Sequence, residues 1–168
     1  MITLASDGSE LARQPIQVKI SAAQYLAAHG LQVEARPAAL KDGSWLEEIV
    51  ARRAYESGSF DDVKRNVFIC KPTGRGLVEN ELDVVVTRNG RLAVCSCKSG
   101  HKITKEHIYE LASLSRREAA GIYCGKLLAT DHTELSQALR DRARSMGVHL
   151  VYGQELERVA DHLYVATR

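Results

Sequence analysis

Nowhere do the 168 residues hold an apolar run approaching the roughly 18 needed to cross a bilayer, so no membrane span is expected. Met1–Leu11 has neither a basic start nor a sustained apolar stretch, which argues against a secretory leader and makes the cytoplasm the expected compartment. An excess of one charge is missing too. Lys and Arg number 23 against 21 Asp and Glu, leaving +2 and no basic tail, so any nucleic acid must be held by a local patch. Internal repeats and low-complexity segments are absent, which excludes repeat arrays and disordered linkers. Cysteine is scarce, and in a reducing compartment the four present read as free thiols rather than a disulfide framework. What is there, 45% apolar and 26% charged residues, is the profile of one globular domain.

The first 40 residues are the least patterned. Ile20–His29 has the Ala and Leu content of a helix closed by Gly30, and Leu31–Ala35 alternates like a short strand. From Ser44 to Glu56 the spacing of Trp45, Leu46, Ile49, Val50 and Ala54 predicts a helix, with Asp or Ser at 42–44 as its cap. Val63–Cys70 is rich in strand formers, and Lys71–Gly76 reads as a loop on composition. Glu81–Arg88 and Arg91–Lys98 are joined by Asn89-Gly90, the dipeptide of a two-residue type I′ hairpin, and so are expected to pair antiparallel. A helix from Thr104 to about Ala119 follows, then a strand over Tyr123–Thr130. Asp131 and Glu134 have the spacing of a capping box for a helix with Leu135, Ala138, Leu139, Ala143 and Met146 on its buried face. Val148–Tyr152 is a last strand and Gln154–His162 a last helix. This order predicts an α/β domain whose central mixed β-sheet is flanked by helices.

Alternation along the hairpin decides where chemistry could sit. Glu81 and Asp83 share one face of their strand, and Ser96 and Lys98 share one face of theirs, with Cys95 and Cys97 opposite. Counting back from the Asn89-Gly90 turn sets Asp83 across from Ser96 and Glu81 across from Lys98, within a one-residue slip at a bulge. Carboxylates with a lysine beside them suit Mg²⁺ or Mn²⁺ and the charge of a reacting phosphate.

These residues resemble the PD-(D/E)XK signature. Asn80-Glu81-Leu82-Asp83-Val84, the hairpin, and Ser96-Cys97-Lys98-Ser99-Gly100 are similar to the nuclease domain of CRISPR-associated CARF-domain effectors. Gly43-Ser44-Trp45-Leu46-Glu47 matches the helix start of that group. Leu111–Leu114, Gly121 with Lys126-Leu127-Leu128, and Arg142-Ala143 fall where that group has them. The resemblance covers about residues 43–163. It implies a restriction-endonuclease-like fold over residues 41–168, with 1–40 as an N-terminal extension of unclear role. It also implies divalent-metal-dependent hydrolysis of DNA or RNA phosphodiesters in CRISPR or other anti-phage defence. Glu47, Asp83, Ser96 and Lys98 then stand at the catalytic positions. Asp83, Glu47, Glu81 and the Cys97 carbonyl are the implied metal ligands, with Mg²⁺ or Mn²⁺ the cofactor. A homodimer is implied, switched by a sensor domain that binds a cyclic oligoadenylate. Such a sensor needs about 100 residues or more, for which this sequence has no room, so the readings are a stand-alone relative, an excised domain whose sensor is a separate domain absent from this sequence, or a different regulation.

Ser96 departs from the pattern, which has an acid two residues before the lysine. A hydroxyl is a poorer ligand for a hard cation, and the alternative reading is a catalytically degenerate domain that binds nucleic acid or a protein partner. A Lys98 ion pair filling the site would favour that alternative. Nucleic acid is assigned to Arg75, His101, Lys102, Lys105 and Arg140, each of which also reads as an ordinary solvated cation. Glu47 and Glu48 both suit the first turn of a helix on dipole grounds alone. The cysteines lack the paired spacing of a zinc site, and the six histidines form no ligand-like pattern.

Overall fold

The computed structural model describes residues 19–34, 44–73, 76–100, 102–113 and 124–168. Within them the chain runs α1 (Ala22–Ala28), β1 (Gln32–Glu34), α2 (Trp45–Glu56), β2 (Asp62–Thr73), β3 (Gly76–Arg88) and β4 (Arg91–Lys98). It continues through α3 (Lys105–Ser113), β5 (Gly125–Thr130), α4 (Gln137–Ser145), β6 (His149–Tyr152), a 3₁₀ turn over Gly153–Arg158, and α5 (Val159–Ala166). The strands form one sheet in sequence order. β1 to β4 are antiparallel neighbours, and β4, β5 and β6 are parallel. This is the expected α/β fold with a mixed sheet.

Apolar alternation gives the sheet two buried faces. Ala22, Tyr25 and Leu26 of α1, Ile108 and Leu111 of α3 and Ala143 of α4 cover one, packing on Val67, Leu82, Val85, Val94 and Leu128. Leu46, Val50 and Ala54 of α2 with Val159 and Leu163 of α5 cover the other, on Val84, Val86, Cys95, Leu127 and Val151. Residues 21–34 are thereby built into the sheet and its core.

Local chemistry explains most element ends. Ser21 and Gln24 exchange a capping box at α1, with backbone-to-side-chain bonds of 2.8 and 3.2 Å. Asn89 and Gly90 both take positive φ, 49° and 75°, as the type I′ turn between Arg88 and Arg91 requires. Gly125 opens β5 beneath α5, where a Cβ would lie 2.4 Å from the Ala166 carbonyl oxygen.

Four expectations are corrected. Lys71–Thr73 is strand rather than loop, because Lys71, Pro72 and Thr73 pair with Val78, Leu77 and Gly76 in a long hairpin. Pro72 is tolerated there since, among the described residues, β2 has no second neighbour beyond Cys70. Helix α4 is capped by Ser136, whose side chain accepts from Leu139 N, not by Asp131, and Ala138 is exposed. The last helical segment splits, a 3₁₀ turn to Arg158 preceding α5, which runs on to Ala166. Ser44 does precede α2, but its side chain makes no capping bond. The expected end of α3 near Ala119 and its Gly121 stop lie outside the described residues.

One rung of the sheet breaks the pattern. Arg65 pairs with Val84 and Val67 with Leu82, yet Asn66 and Asp83 between them do not pair, and Asn66 has φ 50°. Val63 and Val86 face α2 and α5, whereas Val67 and Leu82 face α1 and α3. Both strands therefore swap faces at this rung while the register stays the same on either side of it. The β3–β4 ladder also stops at Val84–Cys95, one residue short of Asp83 and Ser96.

Candidate active site

Asp83 sits at that break, where β3 has lost ladder partners on both sides. Its Oδ2 accepts the Cys97 N–H at 2.7 Å and the Ser96 hydroxyl at 3.2 Å, and lies 4.0 Å from Lys98 Nζ. Among the described residues Oδ1 has no partner. One oxygen thus fixes the carboxylate while the other faces outward. The expectation that Asp83 lies across from Ser96 holds at the level of side chains. Glu81 does not meet Lys98 across a ladder, because pairing between β3 and β4 ends at Val84 and Glu81 pairs with Phe68 on the other side.

Asn80, Glu81, Asp83, Ser96 and Lys98 line one wall of a cleft of about 390 Å³, and α3 supplies the opposite wall with His107, Glu110, Leu111 and Ser113. His107 and Glu110 were not singled out from the sequence. The signal was there, since positions 107 and 110 flank the buried Ile108 and Leu111 at helical spacing.

Glu47 is half-buried on the first turn of α2 and is not a lining residue of this cleft. It still belongs to the neighbourhood. The Cys97 thiol is pushed well up by its hydrogen bond with Cys95, then by burial, and further by the charges of Asp83 and Glu47. Glu48 is taken by Arg65, at 2.5 Å, and is the more exposed of the two. All four cysteines are buried and free, as expected, and burial lifts the Cys124 thiol to about 12.

The cations divide. Lys102 and Lys105 are exposed at the start of α3. Arg140 is not brought to the cleft: its guanidinium donates to the Leu135 carbonyl and to Gln137 Oε1, and it lines a separate pocket with Arg144, His149 and Tyr152. Arg75 and His101 lie outside the described residues. An arrangement invisible in the sequence joins His149, His162 and Glu155 by two contacts of 2.8 Å. Partial burial, then the neighbouring His162, depress the His149 pKa, against an opposing pull from Glu155.

Among the described residues no three His, Cys, Asp or Glu side chains enclose a metal site. The donor set is nonetheless of the right kind. Mg²⁺ is commonly held by one or two carboxylates with waters and substrate phosphate completing its shell, and Asp83 offers an anchored carboxylate with an uncommitted oxygen. The cleft is acid-rich besides, with Glu81, Asp83 and Glu110 against Lys98. No helix among the described residues is long and apolar enough to cross a membrane.

The family described as "Card1-like, endonuclease domain" matches residues 34–168. Protein VC1899 from Vibrio cholerae is similar in structure, with a TM-score of 0.63 and 28% identity over 74% of this chain and 33% of that one. Can2 from Sulfobacillus thermosulfidooxidans, solved in complex with cyclic tetra-adenylate, gives a TM-score of 0.60 and 26% identity over 76% of this chain and 36% of its own. The chain spans about a third of the length of either structure. No curated protein matches it.

Proposed function

The chain belongs to the Card1-like endonuclease domain family, and from that premise we propose that it is a nuclease using Mg²⁺ or Mn²⁺ to hydrolyse phosphodiester bonds of DNA or RNA. The observation that carries the reading is Asp83. It is held by one oxygen at a break in the sheet, with its other oxygen, Ser96 and Lys98 at the same cleft. The cation would be held by Asp83 Oδ1, with Glu47, Glu81 and the Cys97 carbonyl as further oxygen donors. When bound, it supplies charge to the phosphate oxygens and acidity to a water. Three carboxylates around a polyanionic substrate repel it, so a cation is also what makes the cleft habitable for phosphate.

The protein's own groups set the geometry. The Cys97 N–H and Ser96 hydroxyl fix the Asp83 carboxylate. Lys98 Nζ, the cation on the same wall, would stabilise the extra charge on phosphorus-bound oxygen as water adds, and orient that water. Control would come from a separate sensor domain. Can2 was solved with cyclic tetra-adenylate, and we extend the proposal to a homodimeric effector in CRISPR or other anti-phage defence, switched through a cyclic oligoadenylate sensor.

A catalytically silent nucleic-acid-binding domain is the second reading. Ser96 in the acid position and the Lys98–Asp83 approach favour it. At 4.0 Å that pair is at the outer limit of an ion pair and leaves Oδ1 uncommitted, so the first reading is preferred. The deciding experiment measures cleavage of single- and double-stranded DNA and RNA with Mg²⁺ or Mn²⁺, alongside calorimetric Mn²⁺ binding. Cleavage lost in EDTA and in Asp83→Ala is expected. Undiminished cleavage by that variant overturns the assignment, and nucleic-acid binding without cleavage establishes the silent domain.

A further inference from the structure

We propose that His107, on the α3 wall, donates a hydrogen bond from Nε2 to a non-bridging phosphate oxygen of the strand in the cleft; this rests on the nuclease reading above. His107 lies in the first turn of α3 and lines the cleft opposite Asp83, Ser96 and Lys98. Its Nδ1 takes the backbone N–H of Thr104 at 3.3 Å. A backbone N–H can only donate, so Nδ1 carries the lone pair and the ring proton sits on Nε2. Among the described residues Nε2 has no partner.

The surroundings define what this donor is for. The cleft walls carry three carboxylates, and Lys98 already leans toward Asp83. A second ammonium there would be drawn to Glu81 or Glu110. An oriented N–H in an uncharged ring escapes that competition and still serves an anionic oxygen, and hydrogen bonds to charged partners are the stronger kind. The cap bond to Thr104 also holds the ring in place before substrate arrives, so little side-chain freedom is lost on binding. At about 390 Å³ the cleft is within the roughly 300–1,000 Å³ of ordinary ligand pockets, room for a nucleotide unit between the two walls.

A role confined to capping α3 would be served by any acceptor at position 107, whereas a phosphate donor needs an N–H as well. Three variants separate the two. His107→Gln keeps an acceptor for Thr104 and an N–H for phosphate; His107→Glu keeps only the acceptor; His107→Ala keeps neither. The proposal expects KM for an oligonucleotide to rise about ten- to hundredfold in the Ala and Glu variants, with kcat changed much less, and the Gln variant to return to within about threefold of wild type. Side-chain ¹⁵N spectra of the wild type should show the Nε2–H form, with that signal moving on addition of an oligonucleotide in Ca²⁺. If Ala or Glu retains the wild-type KM, or Gln restores only the melting temperature, the donor role is overturned and the nuclease reading stands. If the wild type cleaves no polymer with any divalent ion, both fall together.

Discussion

Ser96 is where the chemistry of single residues can be tested most directly. Its hydroxyl now donates to Asp83 Oδ2 at 3.2 Å, so it supports the carboxylate without adding charge. Ser96→Glu would set a second carboxylate against Asp83. Two like charges that close oppose each other until a cation joins them. The expected outcome therefore has two signs. Without divalent ions the variant melts below wild type, and with Mn²⁺ it melts above its own metal-free value by more than wild type does, as a tighter ligand requires. Mn²⁺ affinity should rise about tenfold or more, which calorimetry reads directly. An unchanged affinity would mean that Ser96 does not face the cation.

At the scale of elements, close approach and the titration of neighbouring strands and helices make two further predictions. Gly125 lets β5 run under α5, and a methyl group there would meet the Ala166 backbone rather than a side chain that could swing aside. Gly125→Ala should cost about 1–3 kcal/mol by overpacking, measured by urea unfolding, while Gly58→Ala strains φ but meets nothing. The second concerns β6 and α5, joined by His149 and His162 with Glu155 behind them. The folded-state pKa of His149 is depressed, so the unfolded chain binds its proton more readily. Stability is then fully present above the unfolded value, about pH 6.5, and falls as pH drops below it. Melting temperature followed from pH 8 to 5.5 should show this decline, less steeply in His149→Asn.

Much at this scale was legible in the sequence. The Asn89-Gly90 turn, the helical spacing after Ser44 and the alternation of β4 each carry a strong local rule, and each element formed where that rule placed it. Two departures within the sheet share a cause. Lys71–Thr73 has turn-forming composition but gains a strand partner, and the face swap at Asn66 and Asp83 comes from cross-strand packing. Neither is encoded within a short window. The site was half readable for the same reason. Asp83, Ser96 and Lys98 come from one hairpin, whereas His107 and Glu110 reach the cleft only through the packing of α3.

For the whole molecule, charge balance sets how a polyanion is engaged. With a net charge of only +2, attraction must be local, and Lys102 and Lys105 are the exposed cations at the head of α3, whose other residues wall the cleft. Reversing both to Glu should weaken oligonucleotide binding evenly across sequences. Each lost phosphate contact should flatten the slope of log affinity against log salt by about 0.7 to 0.9. Fluorescence anisotropy over a salt series measures this, and an unchanged slope would put the nucleic acid on another face.

The two halves of the sheet also differ in how they can be assembled. From β2 to β4 each strand meets the next through a hairpin, Arg88 facing Arg91 across a two-residue turn. In the parallel half Val94 must find Lys126, and Leu128 must find Leu150, each across an intervening helix. Closing short loops costs less chain entropy, so the β2–β3–β4 meander should be formed first and the β5–β6 extension docked later. Refolding kinetics can resolve the order. Val86→Ala should slow folding, with a φ-value above about 0.5, whereas Val151→Ala should mainly hasten unfolding, with a value below about 0.3. On that sequence of events the break at Asp83 lies inside the part that folds first, and the Asp83 carboxylate is positioned before α3 closes the far wall of its cleft.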